Sequence, residues 1–144
     1  MRSILLLMNL CFSILYATNH SLYQLTVTTT KLHSNNGVVQ FALYNKEGTI
    51  PDKTQTHYFK KIRVKITDKK ATATFKDLPK GRYALSVYHD ENNNGKIDKG
   101  MLLPTEGVGL SNFTSIDLFH LPDFKSASFK LDKDKTVPIH LHYF

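Results

Sequence analysis

Tryptophan is absent from this chain of 144 residues, and cysteine occurs once, at Cys11. A single cysteine excludes a disulfide framework within the chain, and it leaves no basis for a cysteine-based zinc site. After residue 17 no apolar run approaches the roughly 20 residues that a membrane-spanning helix needs, which excludes a polytopic membrane protein. Arginine is also scarce, at Arg2, Arg63 and Arg82, so the formal net charge of +7 comes almost entirely from lysine.

The lysines are spread along the chain rather than gathered in one basic segment. Nucleic-acid-binding proteins usually concentrate lysine, arginine and aromatic residues on one face. A spread of lysines is more typical of solvated strand faces and protected sheet edges. The chain is 41% hydrophobic and contains nine Phe and seven Tyr, a composition that excludes a disordered tail. We therefore expect a folded protein with no nucleic acid among its partners.

Residues 1–17 have the pattern of an export signal. Arg2 is the only charged residue among them, an almost unbroken apolar stretch follows it, and Ala17 supplies the small residue of a cleavage site. This stretch is too short to span a bilayer comfortably, and no basic cluster follows it, which argues against a membrane anchor. The sequence therefore predicts a signal peptide at 1–17, one domain at 18–144 with no transmembrane segment, and a periplasmic or secreted location.

The rest of the chain alternates with a period of two, which is the pattern of half-buried β-strands. Seven strands are predicted, at residues 22–32, 38–44, 59–66, 70–75, 82–89, 126–131 and 136–143. No segment has the 3.6-residue period of an amphipathic helix, so the pattern favours an all-β antiparallel sandwich of the immunoglobulin or transthyretin type. The stretch 90–125 has little regular pattern and is predicted to be a long loop insertion, which is usually functional or held in place by a bound group.

A turn containing proline and glycine joins two of the predicted strands. Pro79 presets the backbone angle φ, and Gly81 is expected to take the positive φ of a tight turn. Phe75, Leu78 and Tyr83 are expected to pack inward around it. The pattern resembles the turn of transthyretin-like and carboxypeptidase-regulatory-like sandwiches, which implies a fold and no chemistry.

The segment that follows the fifth predicted strand has the spacing of a calcium-binding loop of the EF-hand type. The candidate ligands are the side chains of Asp90, Asn92, Asn94 and Asp98 and the backbone carbonyl of Lys96. Gly95 falls at position six, where such a loop turns sharply. Hard oxygen ligands in a flexible arrangement suit Ca²⁺, so we predict this ion as the cofactor.

One position departs from the calcium-loop pattern. Met101, at position twelve, cannot supply the bidentate carboxylate of an EF-hand loop, and Glu106 is predicted to fold back in its place. His89, Pro104, Ser111 and Asn112 are expected to support the loop or its turns. The alternative is an ordinary hairpin turn held by the hydrogen bonds of its Asn and Asp side chains.

Beyond the loop the chain continues with the motifs Pro104–Asn112, Pro122–Phe124 and Ala127–Phe129. Together with the turn at 75–83, these motifs make the chain resemble an exported bacterial family known only as domain of unknown function number twenty-one forty-one. The resemblance covers about residues 22–143 and implies an envelope or secreted β-sandwich. That family has no assigned activity, so it implies no catalytic residues.

These observations favour an exported, non-enzymatic module that binds an envelope protein or glycan and whose loop at 90–98 is organised by Ca²⁺. The alternative is a metal-dependent or hydrolytic extracytoplasmic enzyme that uses the loop 89–112. Such an enzyme would need Glu106, Ser111 and a histidine to converge in one cleft. No G-x-S-x-G elbow presents Ser111 as a nucleophile.

Overall fold

The structure, a computed structural model, describes residues 21–101, 104–115 and 122–144. The predicted signal peptide at 1–17 lies outside these residues. The elements in chain order are β1 Leu22–Thr30, β2 Val38–Tyr44, β3 Lys60–Lys65, β4 Lys70–Pro79, β5 Gly81–Asp90, β6 Val108–Leu110, α1 Phe124–Ala127, β7 Phe129–Leu131 and β8 Lys135–Pro138. Within the described part of the chain, no helix has the length and apolar character needed to cross a membrane.

Two sheets form the domain, which confirms the predicted all-β sandwich. The first has three strands in the order β4-β1-β8, and the second has the order β3-β2-β5-β6, with β7 also pairing with β5. All these pairs are antiparallel except β1 with β8, which run parallel from Leu25 opposite Lys135 to Thr28 opposite Pro138. The first and last strands of the described chain are therefore neighbours.

The main hydrophobic core lies between the two sheets. It is built from alternate residues of the long strands, which point to the same face of each sheet. The fully buried members include Leu25 and Val27 of β1, Phe41 of β2, Phe75 of β4 and Leu85 of β5. The period-two pattern in the sequence thus marks the inward face of each strand.

A second, smaller apolar cluster covers the outer face of the five-stranded sheet. Tyr44 and Ala84 contribute from β2 and β5, and Ile50, Phe124 and Ala127 pack onto them from outside the sheet. The loop 45–59 and helix α1 are therefore held against this sheet, and they form the surroundings of the candidate site.

The structure corrects three predicted elements near the end of the chain. The predicted loop 90–125 contains strand β6, and the predicted strand 126–131 begins instead as helix α1. Asp123 caps that helix, because its side chain accepts the backbone N–H of Ser126 while the Ser126 hydroxyl accepts the N–H of Asp123. The predicted strand 136–143 is shorter, since β8 ends at Pro138 and the chain then bridges to β6.

The predicted turn at Pro79 is wrong in its geometry. Strand β4 continues through Pro79, and Lys80 alone connects it to β5 in the other sheet. Gly81 is not among the residues with positive φ, and a Cβ atom there would meet only the ring of Tyr83 at 3.5 Å. The connection is held by the Tyr83 hydroxyl, which donates a hydrogen bond of 2.8 Å to the carbonyl of Pro79. This arrangement is the tyrosine corner of β-sandwiches.

Candidate metal-binding loop and adjoining cavities

The candidate calcium loop, residues 90–98, is wound around the carboxylate of Asp90. This residue ends β5 and is fully buried. Its Oδ1 atom accepts the backbone N–H of Asn94, and its Oδ2 atom accepts that of Gly95, each at 2.9 Å. Gly95 has a φ of +78°, so the backbone reverses there as the sequence pattern requires.

Arg63 on strand β3 pairs with the same carboxylate. Its guanidinium donates to Oδ2 of Asp90 and, at 2.8 Å, to the side-chain oxygen of Asn93. Since Asp90 is buried, this positive charge compensates a carboxylate that would otherwise be costly to remove from water. No sequence pattern predicts this pair, because 27 residues separate its members.

The other candidate ligands gather beside Asp90. The side-chain oxygen of Asn92 accepts the N–H of Asn94 at 3.0 Å, and that of Asn94 accepts the N–H of Lys96 at 2.8 Å. The amide groups of both asparagines donate to the carboxylate of Asp98. Two consecutive Asx turns therefore bring oxygen-bearing side chains of positions one, three, five and nine into one small cluster.

Glu106 closes the loop at its base. Its side chain is buried, and its two carboxylate oxygens accept the backbone N–H of Glu91 at 2.9 Å and of Asp98 at 3.1 Å. Thr105 also donates its N–H to the carbonyl of Asp98, and Pro104 forms an isolated bridge with Lys99. Glu106 thus ties the first and last parts of the loop together, a role that the sequence did not predict.

The cluster is poor in formal charge. Of the six candidate ligands, Asp90, Asp98 and Glu106 would coordinate through a charged side chain, and the oxygens of Glu106 already accept two backbone N–H groups. The residues between 21 and 144 that the structure describes contain no group of three His, Cys, Asp or Glu side chains placed to hold a metal. Neutral amides and a backbone carbonyl would have to supply the remaining ligands. Ca²⁺ accepts such oxygens, whereas Zn²⁺ prefers nitrogen and sulfur.

His89 is fully buried behind the loop. One ring nitrogen lies 2.8 Å from the hydroxyl of Tyr143, and the other lies 2.8 Å from the carbonyl oxygen of Asn36. Both nitrogens are therefore engaged with the chain itself. The imidazole connects β5 to the turn before β2 and to the final residues of the chain.

Ser111 and Asn112 hold helix α1 against the sheet. The buried Ser111 hydroxyl accepts the N–H of Leu85 at 2.8 Å and donates to the carbonyl of Ala127 at 2.6 Å. The Asn112 amide donates to the carbonyls of Ser126 and Ser128. Ser111, Glu106 and His89 thus each hydrogen-bond to a different part of the chain, and none of these bonds joins one of the three side chains to another.

Tyr88, on the outer face of β5, was not identified from the sequence. Its hydroxyl is buried and has no hydrogen-bond partner among the described residues. Burial, together with the nearby Asp90 carboxylate, raises the pKa of Tyr88 to about 12. The phenol is therefore neutral at physiological pH beneath the candidate calcium loop.

A second polar cluster lies in the loop 45–59. The Asp52 side chain is 2% exposed and accepts hydrogen bonds from the Tyr44 hydroxyl at 3.2 Å and from the backbone N–H of His57 at 2.8 Å, while the His57 ring contacts its other oxygen at 3.0 Å. Burial alone would raise the pKa of this carboxyl, but the hydrogen bonds from His57, Thr56 and Thr54 lower it to about 2. Asp52 is therefore ionised and turned into its own loop.

Two cavities adjoin the candidate calcium loop where it faces the loop 45–59. The apolar cavity has a volume of about 190 Å³ and is lined by Tyr44, Ile50, Pro51, Pro104 and Leu110, among others. The lysine cleft has a volume of about 430 Å³ and contains Lys53, Lys96 and Lys99. Lys53 and Lys99 line both, so the two spaces meet at these residues.

Comparison with known proteins gives one family. The family model described as "Uncharacterized protein conserved in bacteria (DUF2141)" matches residues 27–139, from the second half of β1 to just past the end of β8. No curated protein and no solved structure matches the chain. The matched range contains the candidate calcium loop and all the residues that line the two cavities as described above.

Proposed function

The chain belongs to this family of uncharacterized bacterial proteins, DUF2141, and from that premise we propose that it is an exported, non-enzymatic binding module whose loop 90–98 is organised by Ca²⁺. The proposed ligands are the side chains of Asp90, Asn92, Asn94 and Asp98 and the carbonyl of Lys96. Glu106 holds the two ends of the loop in place. The proposed partner is a protein or glycan of the bacterial envelope, met in the periplasm or after secretion.

One observation carries the calcium proposal: the side chains at positions one, three, five and nine of the loop are gathered by hydrogen bonds into one cluster. The backbone N–H groups of Asn94 and Gly95 hold the Asp90 carboxylate in place within it. Two formal charges and the nearby Arg63 argue for weak binding, with a dissociation constant on the order of 10⁻⁴ to 10⁻³ M, as in extracellular modules. Such a site would fill where calcium is millimolar.

The non-enzymatic part of the proposal is supported by the hydrogen bonds that Ser111, Glu106 and His89 make within the protein. A nucleophile and its base must lie within hydrogen-bond reach of each other and of a substrate. Ser111 instead bonds to the backbone of β5 and α1, and Glu106 bonds to two backbone N–H groups of the loop. His89 is enclosed between Tyr143 and Asn36. Ser111 thus holds helix α1 to β5, whereas Glu106 and His89 hold the loop and its surroundings.

Melting curves in chelator and in a few millimolar CaCl₂ test the ion. At ten times the dissociation constant, calcium should stabilise the protein by about 1.4 kcal/mol and raise the melting temperature by a few degrees. Asp98→Asn is the sharpest variant, since the hydrogen bonds that the Asp98 carboxylate accepts among the described residues come from side-chain amides of the loop, and the substitution spares the backbone contacts of Asp90. It should abolish the calcium shift with little change in chelator.

Glu91→Gln is the matched control for this variant. Glu91 lies inside the same loop at a non-ligand position, and its carboxylate accepts a hydrogen bond from Ser34 at 3.3 Å and lies 3.7 Å from the ring of His89. It should retain most of the calcium shift. Equal melting temperatures of the parent in both buffers, with no heat on calcium titration, would show that the loop binds no calcium and is an ordinary turn held by its Asx hydrogen bonds.

Export and the envelope partner need separate measurements. N-terminal sequencing of protein isolated from envelope fractions should find a start near Thr18, and a retained Met1 would contradict the proposed signal peptide. Sedimentation of purified protein with envelope fractions should be stronger in calcium than in chelator, and Asp98→Asn should lose that difference. Treatment of the envelope with protease then separates a protein partner from a glycan.

A further inference from the structure

The two cavities beside the candidate calcium loop have no role in the proposal above. We propose that together they bind an anionic amphiphile, with a phosphate-type head in the lysine cleft and a short hydrocarbon group in the apolar cavity. This inference goes beyond the proposed function and stands apart from calcium, because it rests on the facing loop 45–59 as much as on the loop 90–98.

The apolar cavity is formed on the outer face of the five-stranded sheet. Tyr44 and Leu110 form its floor from β2 and β6, and Ile50, Pro51 and Pro104 form its walls from the flanking loops. The Tyr44 hydroxyl donates to Asp52, which also lines this cavity, so the polar atom of the tyrosine already has a partner. Burial of a hydrocarbon group in this space removes apolar surface of both partners from water, which favours binding.

The lysine cleft supplies the charge. Lys53 approaches from the loop 45–59, and Lys96 and Lys99 approach from the end of the candidate calcium loop. Lysine ammonium groups bind phosphate as flexible point charges with three donors each. Thr54 and Gln55 add polar groups to the same lining. The cleft therefore suits a phosphate group rather than a neutral sugar.

Asp52 is the one acidic residue in the lining of the lysine cleft as described. Its carboxylate does not oppose an incoming anion directly, because the side chain is 2% exposed and its oxygens are occupied by Tyr44, Thr54 and His57. Lys53 and Lys99 line both cavities together with Asp52, so two positive charges accompany this carboxylate where the two spaces meet.

The junction determines the class of ligand. Asp52, Lys53, Ile97 and Lys99 line both spaces, so a molecule that fills both must carry an anionic group next to an apolar one. An alkyl phosphate has this chemistry, whether it is free in solution or part of a lipid. Inorganic phosphate and a simple alcohol each satisfy only one half of the site.

Isothermal titration calorimetry in chelator tests the proposal with three monomeric probes: hexyl phosphate, hexanol and inorganic phosphate. The affinity for hexyl phosphate should be about tenfold higher or more than that for either of the other probes. Only hexyl phosphate combines burial of a hydrocarbon chain with attraction of a phosphate to the lysines. Equal affinities for hexyl phosphate and inorganic phosphate would overturn the proposal. Binding to phosphatidylglycerol vesicles without binding to hexyl phosphate would also overturn it, because that result indicates attraction to a charged surface.

Two variants separate the halves of the site. The double variant Lys53→Gln, Lys99→Gln should lower the affinity for hexyl phosphate about tenfold or more and leave the affinity for hexanol unchanged. The control Lys70→Gln, on strand β4, should change neither affinity. Ser86→Leu, which places a larger side chain into the apolar cavity, should weaken both hexyl phosphate and hexanol. The lysine variants alter exposed side chains, so they keep the test decisive if Ser86→Leu does not fold.

Asp98→Asn distinguishes the two proposals. In chelator it should bind hexyl phosphate like the parent, because Asp98 lines neither cavity as described. Loss of the calcium shift with retained hexyl phosphate binding would support both proposals. A parent protein that shows the calcium shift but no affinity for hexyl phosphate would reject the amphiphile site alone.

Discussion

Arg63 pairs with the buried carboxylate of Asp90 and so joins strand β3 to the first residue of the candidate calcium loop. The carboxylate also accepts two backbone N–H groups from the loop. A buried carboxylate with this set of partners is already compensated before any ion arrives. The arginine therefore opposes a cation at the position that a calcium ion would need most.

Replacement of this arginine should separate stability from calcium affinity. Arg63→Gln leaves the Asp90 charge with fewer partners, so the free energy of unfolding in chelator should fall by about 2 kcal/mol. This value is below that of a fully buried ion pair because the arginine side chain is 39% exposed and water screens its charge. The same change should strengthen calcium binding several-fold, since a competing positive charge is removed. Calcium titration and urea unfolding measure the two effects. Lys65→Gln, on the same face of β3, is the control, and an unchanged affinity in Arg63→Gln would contradict this account.

Gly37 should be far less tolerant of a side chain than Gly48. Both have positive φ, of 67° and 75°, so alanine is strained at either position. A Cβ atom at Gly37 would lie 1.9 Å from the backbone carbonyl oxygen of Asp90, whereas at Gly48 it would meet nothing within 4 Å. We expect Gly48→Ala to cost about 1 kcal/mol and Gly37→Ala about 3 kcal/mol or more. Equal shifts in the urea midpoints would show that the approach of this turn to Asp90 is not tight.

Asp52 should make stability depend on acid pH. Its pKa in the folded protein is about 2, below the ordinary value of an aspartate, so the ionised form is the one that folding favours. Its contribution is therefore fully present above about pH 4 and is lost as the pH falls through 2. Asp52→Asn should destabilise the protein by about 1 kcal/mol at pH 6 and progressively less toward pH 2. A difference between the urea midpoints of variant and parent that does not change with pH would contradict this assignment.

The Ser111 hydroxyl should be needed for stability. Ser111→Ala leaves the N–H of Leu85 and the carbonyl of Ala127 without this partner inside the protein, which should cost about 2 kcal/mol. Ser115→Ala, at an exposed position nearby, should be neutral. Urea unfolding of both variants provides the measurement. A stable Ser111→Ala protein would instead show that α1 is held by its apolar contacts alone.

Much of the sandwich could be predicted from the sequence because strand faces alternate with a fixed period. Strand β2 was placed at its observed bounds, Val38–Tyr44, and β1, β3 and β5 were placed to within two residues at each end. Strand β6 could not be predicted, because Val108–Leu110 spans too few residues to establish a period. Helix α1 is set by the Asp123 cap rather than by a pattern of apolar residues.

The candidate site shows the same division between local and distant causes. The spacing from Asp90 to Asp98 is local, and the structure brings these side chains together through turns two residues long. No local sequence pattern indicates the contacts that residues from elsewhere in the chain make with this loop. Arg63, Tyr143 and Asn36 reach Asp90 or His89 only after the sheets have formed, and both cavities exist only between two loops that are distant in sequence.

The parallel pairing of β1 with β8 has a consequence for the order in which the chain can fold. Leu25 has its partner at Lys135, so one side of β1 stays without its neighbour until nearly the whole chain is available. Closing so long a connection is entropically unfavourable and slows folding. A chain still being synthesised therefore cannot complete its three-stranded sheet. It stays incompletely folded until its final segment is present, which is the condition in which an unfolded polypeptide can be threaded through a narrow channel.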